Sequence, residues 1–184
     1  MKLYHYVTKG NNVLDVGLLS ISKNPKADIN YYTKRSGAKT HKGVCAWMEK
    51  CFKGRSRAIR FFTTPLQWTE KSLRIKELVD SCDLFELNLD LLAKDGLVEA
   101  VYLKPSIFDG HYFSMEFREN LRNGADESLI KLKSVKDIDY KYHQTWDLCD
   151  DSKGLRMAPL QFYVLIVKNG VIPPKYLKKF PSKD

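Results

Sequence analysis

KLYHYVTKGNNVLDVGLLS (residues 2–20) sets how the rest of the chain is read. Its first part, LYHYV (3–7), alternates and is rich in Tyr and Val, which is the pattern of a strand. His5 then lies on the face opposite Tyr4 and Tyr6. Asn11 or Asn12 can cap a short helix, VLDV, that ends at Gly17. A second informative stretch closes the chain: FYVLIVKNGVIPPKYLKKF (162–180) reads as an apolar strand, then a helical turn whose entry is fixed by Pro173 and Pro174.

Working inward, the first third is helical. NPKADINYYTKR follows Ser22 as a second helix with Pro25 in its first turn and Gly37 just beyond its end. Thr40 begins a third, HKGVCAWMEKCF, where Val44, Trp47, Met48 and Cys51 keep helical spacing. The texture then changes. RAIRFFTT (57–64), DLFELNLD (83–90), LVEAVYL (97–103), SLIKLKSV (128–135) and QFYVLIVK (161–168) read as strands, with a helix SLRIKELVD (72–80) among them. Residues 105–127 are polar with scattered aromatics and read as loop plus a short helix. No repeat, low-complexity tract or linker interrupts the chain. Helices early and strands late predict an α+β fold, one domain over 1–184 with a mostly antiparallel or mixed, split sheet.

Composition bounds the function. With 184 residues, 43% apolar and 12% aromatic, one domain can bury roughly two-thirds of its unfolded surface, and global disorder is excluded. No apolar run reaches bilayer length and no charged-then-apolar signal follows Met1. The expectation is a cytoplasmic protein with no membrane partner, an exported toxin or effector with a cryptic signal being the alternative. Cys45, Cys51, Cys82 and Cys149 form no CxxC pair and no Cys/His cluster with zinc spacing, so the thiols are read as reduced and mostly buried, and no metal is expected.

The net charge of +9 is unevenly placed. Residues 23–60 hold eleven basic side chains against Asp28 and Glu49 alone, so this segment carries the whole excess. Such a patch suits an anionic partner, whether a dinucleotide phosphate, nucleic acid or an acidic protein; a solvated, solubilising face explains it too. Interleaved with Tyr31, Tyr32, Trp47, Phe52, Phe61 and Phe62, the patch also fits a non-enzymatic nucleic-acid-binding module. Lys34, Arg35, Arg55 and Arg57 are then the candidate DNA or RNA contacts. A bare edge of the sheet guarded by Arg55 and Arg57 is the structural alternative.

Three constellations are candidates for chemistry: Tyr4-His5-Tyr6 with the following GLLS, the pair Tyr31-Tyr32, and QFYVLIV leading into NGVIPPKYL. Each has a structural reading as well, respectively a satisfied strand histidine, core and rim tyrosines, and a capping turn. Taken in order, they resemble the ADP-ribosyltransferase fold in its histidine–tyrosine–glutamate branch, that of diphtheria toxin and the poly(ADP-ribose) polymerases. LYHYV is similar to an opening LYHGT strand, VLDVGLL to the helix and GL turn that follow, and ADINYY to a small-residue helix ending in tyrosine. FYVLIVKNGVIPPKYL resembles a last strand of the E-V-L-I type with its I-P-x-x-Y-L.

The resemblance implies transfer of ADP-ribose from NAD to a macromolecular acceptor, with release of nicotinamide and no metal. His5 is then the residue that donates to and orients the ribose, and Tyr31 or Tyr32 stacks on nicotinamide. Arg35 and the rest of the basic stretch supply cations for the pyrophosphate. Tyr163 stands where the family has its glutamate. Gln161, two residues back on the same strand face, takes the acid's place at the ribose without its charge. Asp150, Asp151 and Glu99 are alternative acids, and Arg156 in DDSKGLR (150–156) is a further phosphate candidate or simply part of a turn. A protein-interaction domain built on the same scaffold is a third reading.

Overall fold

The alternating LYHYV becomes strand β1 (Lys2–Thr8) in the computed structural model, which describes residues 1–65, 80–104, 129–140 and 162–180, without the side chain of Tyr31. Leu3 is fully buried and Val7 packs against the core, so β1 turns Leu3, His5 and Val7 to one side. β1 pairs antiparallel with β4 (Cys82–Asn88), Leu3 opposite Leu87 and His5 opposite Phe85. β4 in turn pairs with β9 (Leu177–Lys179), giving a three-stranded sheet ordered β1-β4-β9.

A second sheet has the order β3-β7-β5-β6, built from Ala58–Phe61, Phe162–Val167, Val98–Lys104 and Ile130–Lys131. Here too every pairing is antiparallel, with Phe61 opposite Tyr163, Leu103 opposite Tyr163 and an irregularity between Val98 and Ala100. A two-stranded ribbon joins β2 (Leu18–Leu19) to β8 (Val171–Ile172). The two larger sheets are stitched where Tyr4 and Phe62 exchange N–H···O bonds of 2.8 Å in both directions. One core fills the space between them: Leu3, Phe85 and Leu87 from the first sheet meet Ile59, Phe61, Val101, Tyr163, Leu165 and Val167 from the second. Leu89 and Leu92 of helix α4 (Leu89–Lys94) complete it. The architecture is therefore mixed α+β with antiparallel sheets.

Helices α1 (Val13–Val16), α2 (Asn30–Ser36) and α3 (His41–Cys51) come early, as read from the sequence. Gly17 ends α1 at φ 84°, where a Cβ would sit 2.2 Å from the Ile172 carbonyl oxygen, so the close approach of β2 to β8 demands glycine. Thr40 caps α3 by accepting from the Gly43 N–H.

Four expectations are corrected. The second helix begins at Asn30 rather than near Ser22: Ile21–Lys23 is a 3-10 turn, and the side chains of Asn24 and Asp28 accept from the N–H groups of Lys26 and Asn30, drawing the backbone into local turns. The strand at 83–90 stops at Asn88, whose side chain accepts from the Leu91 N–H and starts α4. In the described part of SLIKLKSV the strand is confined to Ile130–Lys131, with one more backbone bond from the Leu132 N–H to the Val101 carbonyl, and Ser134 and Asp137 then form a capping box around the 3-10 turn Val135–Asp137. After Pro174–Tyr176 the chain returns to extended backbone as β9, and Tyr176 donates from its hydroxyl to Asp95 at 2.5 Å. Cys45, Cys51 and Cys82 are free and half-buried. SLRIKELVD (but for Asp80), 105–127, Cys149 and DDSKGLR lie outside the described residues. No helix among the described residues is long and apolar enough to cross a membrane.

Candidate nucleotide-binding cleft

Strand β7 is buried on both faces, and its two faces meet different neighbours. Tyr163, Leu165 and Val167 point into the core between the sheets. Phe162 and Val164 point the other way and floor an open cleft. The same alternation splits β3: Ile59 and Phe61 enter the core, while Ala58 and Arg60 line the cleft. Helix α3 covers one side with Met48, and Phe52 follows at its end; Tyr32 of α2 and Lys104 at the end of β5 close others.

The turn after α3 delivers a further cation. Gly54 adopts φ 89° with its Cα against Ile166, where an added Cβ would lie 2.6 Å from Cγ2. Glu49 reaches forward and accepts from the N–H groups of Gly54 (2.7 Å) and Ser56 (3.1 Å) and from the Ser56 hydroxyl (2.5 Å). Burial pushes the Glu49 carboxyl up, but these bonds and the nearby Arg57 outweigh it and hold the group below the usual carboxylate range. The turn so held places Arg55, only 4% exposed, over the rings of Trp47 (5.0 Å) and Phe52 (5.6 Å) in the cleft wall.

Arg60 sits at the centre. Its guanidinium lies 5.1 Å from the centre of the Phe162 ring, and Nη2 donates to the Tyr32 hydroxyl at 3.4 Å. Its backbone carbonyl, on the other edge, accepts from His5 Nδ1 at 2.6 Å. Arg55, Arg60 and Lys104 thus converge from three separate elements with the rings of Tyr32, Phe52 and Phe162, and no Asp or Glu is among the described lining residues. Converging cations attract an anion, and flat ring faces take a flat group, so this set of side chains suits a phosphate joined to a base.

The expected residues divide sharply. Tyr32 lines the cleft. His5 does not: its ring packs against Phe61 (5.4 Å between centres) on the core side of β3. Burial lowers its pKa below the ordinary value, with Arg60 acting in the same direction, so the ring is neutral at pH 7. Because Nδ1 donates to the Arg60 carbonyl, Nε2 of that neutral ring is an acceptor, and the expected donation from His5 to a ribose is corrected. Tyr163, expected against the cofactor, is 1% exposed in the core and its hydroxyl accepts from the Asp139 N–H at 3.0 Å. Arg55, expected at the surface, is buried. Arg57 is ion-paired with Glu99 and reaches the Val167 carbonyl at 3.4 Å. Glu99, held ionised by that partner, is not a spare acid. Lys34 and Arg35 are exposed on α2. Gln161, Asp150, Asp151, Arg156 and the Tyr31 side chain lie outside the described residues.

Sequence reasoning missed Arg60, Lys104 and Phe162 as site residues. One signal was available: in AIRFF (58–62) a single charge interrupts an apolar strand, which marks the face that looks away from the core. Among the described residues no group of three or more His, Cys, Asp or Glu side chains is placed to hold a metal. Compared with protein-family models, with curated proteins and with solved structures, the chain matches none.

Proposed function

We propose that the cleft binds NAD and that the protein transfers ADP-ribose from it to a macromolecular acceptor. One observation carries the binding half: Arg55, Arg60 and Lys104 share a cleft with Tyr32, Phe52 and Phe162. The pyrophosphate lies between Arg60 and Lys104, and a flat ring of the ligand takes the face of Phe162 or Tyr32. The choice of NAD and of transfer comes from the resemblance of LYHYV, VLDVGLL, ADINYY and the final strand. Nicotinamide departure leaves positive charge at the ribose, so a ring-stacked and phosphate-clamped pose contributes by orientation. His5 acts behind the site, fixing the Arg60 backbone through its carbonyl.

Thermal unfolding with NAD, ADP-ribose and nicotinamide tests the binding. At a ligand concentration of about 100 Kd, stabilisation is about 2.7 kcal/mol. Arg60→Glu and Lys104→Glu should each remove the response to NAD and ADP-ribose, measured against each variant's own ligand-free melting temperature. A full NAD response in Arg60→Glu overturns the cleft assignment. Labelled NAD incubated with lysate then tests transfer: label on a macromolecule is expected, and NAD binding without labelling or nicotinamide release reduces the function to binding.

A further inference from the structure

The basic segment separates into two parts once folded. Arg55 and Arg60 belong to the cleft and Arg57 to Glu99, but Lys34, Arg35, Lys39, Lys42, Lys50 and Lys53 are all exposed. On α3, Val44 and Met48 are buried, and the opposite side carries Lys42, Ala46, Glu49 and Lys50. Lys39 and Lys53 extend this stripe past each end of the helix. At 1.5 Å per residue, Lys42 and Lys50 stand about 12 Å apart along the axis. The one acid in the stripe is spent: Glu49 turns its carboxylate to Gly54 and Ser56 rather than to the lysines. Among the described residues no ion pair engages Lys39, Lys42 or Lys50.

We infer that the outward face of α3, continued by Lys34 and Arg35 of α2, is a track for the phosphodiester backbone of a single-stranded nucleic acid. A row of cations longer than any one phosphate group needs a polyanion to fill it. Both ends of the row adjoin the cleft in the sequence: Phe52, which lines it, precedes Lys53, and Tyr32, which also lines it, lies two residues before Lys34. A strand seated here brings an unpaired base to that mouth, which a duplex, with its bases stacked and paired, does not offer. The inference rests on the cleft reading in this last respect only, and it makes the strand the candidate acceptor.

The test is fluorescence anisotropy with the full chain and three probes: a mixed-sequence single strand of about 15 nucleotides, the matching duplex, and a polyglutamate peptide of similar length. The single strand should bind most tightly. With about five phosphates contacted, log K should fall against log salt with a slope of about −3.5, or roughly 100-fold between about 50 and 200 mM. Lys42→Glu combined with Lys50→Glu should weaken binding at least tenfold and flatten the slope by about 1.4, leaving the melting temperature and the NAD response unchanged. No retention of the strand at about 50 mM salt, preference for duplex or polyglutamate, or an unaffected double variant overturns the inference. If strand binding fails while NAD still stabilises the protein, the track falls alone. If NAD has no effect while the strand binds and responds to the double variant, the cleft reading falls alone.

Discussion

Lowering the pH from 7 toward 5 should destabilise the protein through His5. Nδ1 donates to the Arg60 carbonyl at 2.6 Å and the ring packs on Phe61, so protonation puts a charge at a half-buried position beside Arg60. Burial is the main reason its pKa lies below the ordinary value; the Arg60 charge adds to it, and the bond to the Arg60 carbonyl works against both. In the unfolded chain the residue titrates near 6.5, so in this window the unfolded state binds more protons than the folded one. His5's contribution is therefore complete above about pH 6.5 and is lost as the pH falls toward the folded value. One proton sets a ceiling of about 1.4 kcal/mol per pH unit, hence at most about 2 kcal/mol between pH 6.5 and 5. Glu49, Asp95 and Glu99 all have pKa values below the usual carboxylate range, so their losses come at lower pH. The assay is urea unfolding at half-unit steps from pH 5 to 7 on the natural protein and on His5→Asn. An asparagine amide can still donate to the Arg60 carbonyl and does not titrate. The difference between the two curves isolates His5 from the other histidines, and it should narrow as the pH falls. Parallel curves refute the reasoning, because they mean that His5 is charged as easily in the fold as in water.

Two further outcomes follow from the same neighbourhood. Glu49→Gln puts an amide N–H against the donors of Gly54 and Ser56; at an exposed position this should cost about 1 kcal/mol at pH 7 in urea unfolding. The natural protein should approach the variant as the pH drops below the ordinary carboxylate value and through the lowered one, and a gap that stays constant to pH 3 refutes the assignment. Tyr163→Phe should cost about 1 kcal/mol by removing the bond to the Asp139 N–H, and should leave the NAD response unaltered because the side chain faces the core. Loss of the NAD response without loss of stability returns Tyr163 to the site.

What could be read from the sequence was whatever depends on neighbours along the chain. β1 shows its period of two, α3 its buried Val44 and Met48 and its Thr40 cap, and Gly17 and Gly37 mark helix ends. β9 was hidden because Leu177–Lys179, after two prolines and rich in lysine, has no strand pattern of its own; β4 supplies the partner, with Phe85 opposite Lys179 and Asp83 paired to the same lysine. The site was half hidden for a related reason. Composition located the cations but not their directions, which depend on which strand face meets the core.

Strand β7 makes that dependence explicit. FYVLIV is apolar throughout, so hydropathy carries no parity, and an alignment that sets Tyr163 at a family's acid position assigns a place without assigning a face. The face is decided across the sheet. Phe61 stands opposite Tyr163, and both enter the core with Leu3, whereas α3 lays Met48 along the other face and makes Phe162 and Val164 the cleft floor. A one-residue slip of β7 against β3 would exchange the two sets and bring Tyr163 beside Arg60. Such a slip would also bury Phe162 and Val164 in place of Tyr163 and Leu165, taking the hydroxyl away from the Asp139 N–H. That part-buried bond, made by the one polar group on the inward face of β7, favours the observed register as well as stabilising the fold.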